Sequence, residues 1–171
     1  MPNCNLASEQ IPHFFSCHKK LYWIYNQDVS KKCDEAYKKF KDNKLDSTVV
    51  HYSEALDILH NDETPKSNDQ AKNDARDTLY VLFKLLQTVK RIGNHPHDKI
   101  EKYLDLVRDN LNVLPHMEEK DAEKAFFERF ICTIGELGIE YKNSNWVEFS
   151  LELISHITMS PALSYHALTM K

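Results

Sequence analysis

The sequence predicts an all-α fold of seven to eight antiparallel helices, arranged as a repeat-like stack of hairpins or as an irregular bundle. Three observations carry this. Only three glycines occur in 171 residues, too few for the turns of a many-stranded β protein. Apolar residues recur at spacings of three and four. Prolines and polar clusters then cut the chain into segments of helical length. A chain of this size is expected to form one domain over residues 1–171, with enough core to need neither disulfide nor metal.

The elements follow in order. From Ser8 to Tyr25 the positions Ile11, Phe14, Phe15, Leu21, Tyr22, Ile24 and Tyr25 recur at helical spacing, with Pro12 tolerated in a first turn. Asp28 is expected to cap a second helix through Asn43, with Val29, Cys33, Ala36, Tyr37 and Phe40 on one stripe. Asp46 or Ser47 is expected to cap a third, in which Val49, Val50, Tyr52, Ala55, Leu56 and Leu59 face inward. Residues 60–73 lose all periodicity and form the longest loop, the one expected to be mobile. A fourth helix, from Asp69 or Asp74 to Arg91, is apolar on more than one face and belongs at the centre of the core. Gly93-Asn94-His95-Pro96 ends it. A fifth helix runs from about Asp98 to Leu114, stopped by Pro115; a sixth spans Glu118 to Tyr141, a seventh Asn145 to Met159, and a short eighth Pro161 to Met170. Short connections make neighbours antiparallel.

The formal charge of −4 comes from 26 acidic and 22 basic residues mixed along the chain, which leaves no footprint for nucleic acid. Lys31-Lys32 and Lys38-Lys39-Lys41 alternate with Asp34, Glu35 and Asp42 as on a solvated helix face. No charged segment leads into an apolar run at the N-terminus, and no window reaches a membrane span, so a cytoplasmic protein with reduced thiols is expected.

Leu137-Gly138-x-x-Tyr141, a polar turn at Asn143 to Asn145, Ser150, Ile154, Ile157 and Pro161 together resemble the spacing of a tetratricopeptide repeat. In such a unit Gly138 lets the partner helix approach, Tyr141 fills the gap beside it and Ser150 presents a small side chain opposite. A second segment looks like a degraded copy: Cys33, Ala36-Tyr37 and Phe40, then Tyr52-x-x-Ala55-Leu56, without the glycine and with a turn one residue short. The stretch from Phe126 to Leu168 is also similar to HEAT-type repeats, with Ile134-Gly135-Glu136-Leu137-Gly138 on the first helix. The resemblance implies a scaffold that binds a partner helix or peptide between hairpins, without a cofactor. The residues expected to meet that partner are Trp146, Tyr141, Tyr37 and Lys41.

The competing reading is a metal-dependent hydrolase. His95-Pro96-His97-Asp98 offers nitrogen and oxygen donors to one ion, and His97-Asp98 resembles the doublet of helical HD phosphohydrolases, which also needs a His and an Asp such as His60 and Asp121. The flanking Gly93 and Pro96 read instead as a loop and helix start, with Asp98 as N-cap. Cys4, His13, Cys17, His18 and Cys33 lack the spacing of a zinc cage. Ser16, Cys17 and His18, adjacent on a helix, point about 100° apart and do not meet. No phosphate-binding glycine loop or nucleophile elbow is present.

Overall fold

A computed structural model describes residues 24–61, 63–113 and 121–154, with only the backbone described at 113 and 121–125. The expected helix over residues 8–25 lies almost wholly outside them, as do the end of the seventh helix and the eighth. The described residues hold six α-helices and no strand: α1 (Gln27–Lys41), α2 (Leu45–His60), α3 (Asn68–Ile92), α4 (His97–Val113), α5 (Asp121–Glu140) and α6 (Ser144–Leu153). The chain divides into two compact units, residues 1–113 and 114–171. Among the described residues no helix is long and apolar enough to cross a membrane.

In the first unit consecutive helices pack on one another, α1 on α2, α2 on α3 and α3 on α4. Ile24 to Asn26 are not helical, which corrects the expected helix through Tyr25. Asn26 takes the cap of α1 from Asp28, its Oδ1 accepting the N–H groups of Asp28 (3.0 Å) and Val29 (3.2 Å); Asp28 sits in the first turn, where the helix dipole favours it. Val29, Cys33 and Ala36 are buried, whereas Tyr37 and Phe40 are half-buried.

Helix α2 starts at Leu45 without a side-chain cap, so neither Asp46 nor Ser47 serves as one. Its inward face is Thr48, Tyr52, Ala55, Leu56 and Leu59, and Val50, expected inside, is 54% exposed. Thr48 tolerates burial because its hydroxyl donates to the Lys44 carbonyl at 2.9 Å. The following loop is shorter than 60–73, since the Ser67 hydroxyl accepts the Gln70 N–H and starts α3 at Asn68. An ion pair between Lys66 and Asp74 ties the loop to that helix.

Helix α3 is buried from Asp77 through Leu86. Leu79, Leu82, Phe83, Leu85 and Leu86 are wholly buried, each contributing about 1.5–3 kcal/mol relative to exposure. Gly93 stops it at φ 77°, the left-handed cap that glycine adopts without strain. Pro96 then precedes α4, its carbonyl accepting the N–H groups of Lys99 and Ile100. Asp98 is therefore a first-turn residue and not the N-cap.

In the second unit α5 packs on α6 around Phe126, Phe127, Phe130, Ile134, Leu137, Trp146, Phe149 and Leu153. The hairpin turns of the two units are built alike. After α1, the N–H groups of Asp42, Asn43 and Lys44 donate to Lys38, Phe40 and Lys39. After α5, those of Tyr141, Lys142 and Asn143 donate to Leu137, Ile139 and Gly138. Asn43 (φ 57°) and Lys142 (φ 53°) occupy equivalent left-handed positions. Both are Schellman turns of equal length, so the first is not a residue short.

Candidate functional site

Helices α1 and α3 meet at two places. Just before α1 begins, the backbone N–H groups of Tyr25 (2.7 Å) and Asn26 (2.9 Å) donate to the carboxylate of Asp77, well inside α3. At their finishes the Arg91 guanidinium lies 4.8 Å from the Phe40 ring centroid. The two helices thus run in the same direction and in register: Asn26, Cys33 and Phe40 recur every seven residues, as do Asp77, Lys84 and Arg91. Cys33 and Lys84, the middle members, interact electrostatically.

Two of these three α3 residues are buried ionisable groups. Burial pushes the Asp77 carboxyl up to about 7 against the two N–H bonds that hold it down. Burial likewise drives the Lys84 ammonium well below the usual lysine range. Its Nζ sits 5.4 Å from the Tyr80 ring and 5.2 Å from Phe83, contacts that favour charge but are too weak to offset the desolvation. The Cys33 thiol and the Tyr52 and Tyr80 hydroxyls are raised, burial being the main cause. A buried thiol held protonated is a poor nucleophile.

Periodicity does not reveal this row, because α3 reads in the sequence as a continuous apolar helix. One signal was present. Lys84 is the single charged residue between Thr78 and Val89, and it lies seven residues from both Asp77 and Arg91.

Of the residues expected to meet a partner, Tyr37 and Lys41 come together. Lys41 Nζ lies 4.8 Å from the Tyr37 ring centroid, one helical turn apart on α1. Phe40 lies beside them under Arg91, so two aromatic rings at one end of the first unit each carry a cation. Further up α1, Lys32 bridges to Glu54 on α2 (2.9 Å) and to Glu35 (3.3 Å), and His51 Nδ1 stands 3.5 Å from Glu54.

Trp146 and Tyr141 pair separately, in the second unit, with ring centroids 5.5 Å apart. Trp146 is only 2% exposed, because Asn143 caps α6 through the N–H groups of Asn145 and Trp146 and turns the indole into the hairpin. Its ring is core rather than a presented surface. Gly138 is where the hairpin closes, as expected, but its neighbour is Val147: a Cβ there would fall 2.7 Å from Val147 Cγ2 and 2.8 Å from its backbone nitrogen. Ser150 is buried, its hydroxyl donating to the Val147 carbonyl at 2.6 Å.

His95 stacks beside Tyr103 with centroids 6.1 Å apart, and burial lowers its pKa. His97 and Asp98 are exposed successive residues of the first turn of α4. Among the described residues no group of three or more His, Cys, Asp or Glu side chains is placed to hold a metal ion, so His95, His97 and Asp98 are not drawn into a common donor set. Asp121 opens α5 in the other unit. Comparison with known proteins finds no matching family model, curated protein or solved structure.

Proposed function

We propose that this chain is a cytoplasmic protein-interaction module, an adaptor or effector-like scaffold whose helical hairpins bind a helix or extended segment of another protein. The observation that carries this reading is the Tyr37, Phe40, Lys41 and Arg91 cluster. Two half-buried rings, each ordered beneath a cation, occupy the turn end of a preassembled helix pair. Aromatic and arginine side chains whose rotamers are already restrained lose little entropy on binding, and such residues anchor interfaces. The identical turns of the two hairpins support the repeat-like form of the scaffold. Tyr141 and Trp146 serve it by holding the second hairpin together.

Photo-crosslinking tests the reading. With p-benzoylphenylalanine in place of Tyr37, irradiation in the host cell yields a discrete protein adduct, while the same group in place of exposed Asp105 on α4 does not. No adduct from position 37, or the same adducts from both positions, would overturn it.

A further inference from the structure

The end of the first unit that carries Tyr37 and Phe40 is also where positive charge collects, although the chain as a whole is negative. Two turns far apart in sequence form this end. Residues 38–46 cover the end of α1, its turn and the start of α2, residues 90–99 cover the end of α3, its turn and the start of α4, and the Phe40–Arg91 contact holds them together. The electrostatic interaction of Asp46 with His95 links them a second time. The first segment contributes Lys38, Lys39, Lys41 and Lys44 against Asp42 and Asp46. The second contributes Lys90, Arg91 and Lys99 against Asp98. Seven cations thus face three carboxylates on a chain whose net charge is −4, so the remainder is more acidic still.

Helix dipoles explain part of this. Lys38, Lys39 and Lys41 lie in the last turn of α1, and Lys90 and Arg91 in the last turn of α3, where the partial negative charge of a helix C-terminus favours cations. Lys44 and Lys99 fall on the opposite side of that rule. Lys44 occupies the N-cap of α2 without making a side-chain cap bond, and Lys99 stands in the first turn of α4. Each opposes its own helix dipole. Helix stability therefore does not account for them, whereas a shared anionic ligand does.

We infer that this basic, aromatic-studded end binds an acidic segment of a protein partner. The inference rests on the interaction-module reading and names the chemistry of its partner. A protein carboxylate partner fits better than nucleic acid for two reasons. Tyr37 and Phe40 each have a cation over the ring, which occupies a face that a base would stack on. The rest of the first unit is net acidic, which opposes a long polyanion running past this end but leaves room for a short acidic segment confined to it.

The probe is a fluorescein-labelled, glutamate-rich helical peptide titrated with the full chain and followed by anisotropy. Binding weakens with added salt, and Lys41→Glu/Arg91→Glu lowers affinity by about tenfold or more. Lys38→Glu/Lys44→Glu, at exposed positions, repeats the loss without touching the aromatic contacts. Unchanged peptide affinity in both variants overturns the inference. So does tighter, charge-reversal-sensitive binding of oligo-dT or of phosphatidylserine vesicles, which would assign the surface to nucleic acid or membrane. Self-association abolished by the same variants would assign it to a second copy of this chain. A crosslinked partner at position 37 without peptide binding leaves the interaction module standing and removes only its acidic ligand; absence of both removes both.

Discussion

Gly138 on α5 has no space for a side chain against Val147 on α6: a Cβ placed there would meet Val147 Cγ2 at 2.7 Å and the Val147 backbone nitrogen at 2.8 Å. A side-chain tip can swing aside, but a backbone nitrogen moves only with its helix. The second hairpin closes at this distance because residue 138 is glycine.

Gly138→Leu is therefore expected to force α5 and α6 apart and to destabilise the chain by about 1–3 kcal/mol or more. Gly138→Ala should lie between it and the parent, and Gly138→Ala/Val147→Ala should recover only part of the loss, since the backbone contact persists. Urea denaturation measures the series. An unchanged midpoint in Gly138→Leu would refute the close approach.

Lys142 occupies the left-handed position of the same turn at φ 53°, a conformation costing an ordinary side chain about 1 kcal/mol. Lys142→Gly should raise stability by about 0.5–1 kcal/mol. Asn43→Gly, at the equivalent φ 57°, should gain less, because asparagine tolerates this region. Thermal melts of the two variants would show the order, and equal or reversed shifts would contradict it.

The buried Asp77 carboxyl, raised to about 7 in the fold from an unfolded value near 3.9, makes ionisation unfavourable in the native state. The folded chain binds the extra proton between these two values, so the stability tied to the protonated acid is full below about pH 4 and is lost as pH rises to about 7. The loss is on the order of 4 kcal/mol. Stability of the parent and of Asp77→Asn, measured across that window, should differ in slope, the variant lacking this fall. Parallel pH profiles would show that Asp77 titrates normally.

Lys84 carries the opposite linkage. Burial drives its pKa well below the usual lysine range, while the unfolded chain protonates below about pH 10.4, so stability falls as pH drops below that value toward the depressed native pKa. Lys84→Met keeps the volume and removes the desolvation. The expected result is a gain of about 1–3 kcal/mol at neutral pH that shrinks near pH 10. A loss at both pH values would mean that the amine stabilises the fold.

Helical periodicity is strong in this chain because few glycines interrupt it, and for that reason α1, α2 and α3 begin and end within a few residues of their expected positions. Position 54% exposed at Val50 and position 0% exposed at Thr48 show where the pattern fell short. Thr48 lies on the stripe that runs through Tyr52 and Leu59, whereas Val50 stands on the opposite face of the helix, so its apolar type suggested an inward position that its spacing contradicts. Asn26 displaced Asp28 as a cap because of a contact distant in sequence. The Asp77 carboxylate engages the N–H groups of Tyr25 and Asn26, fixing extended backbone there, and an acceptor 51 residues away in sequence leaves no local trace.

The candidate surface divides in the same way. Tyr37 and Lys41 could be read as neighbours because they are one turn apart on a single helix, and Gly138 could be read as a close-packing point from its setting. Burial of Trp146, the register of Asn26, Cys33 and Phe40 against Asp77, Lys84 and Arg91, and the merging of residues 38–46 with 90–99 were decided by the tertiary structure alone. Spacing along a chain determines which side chains share a face of one helix; which face meets which, and which charges are brought together, is determined by packing between helices distant in sequence.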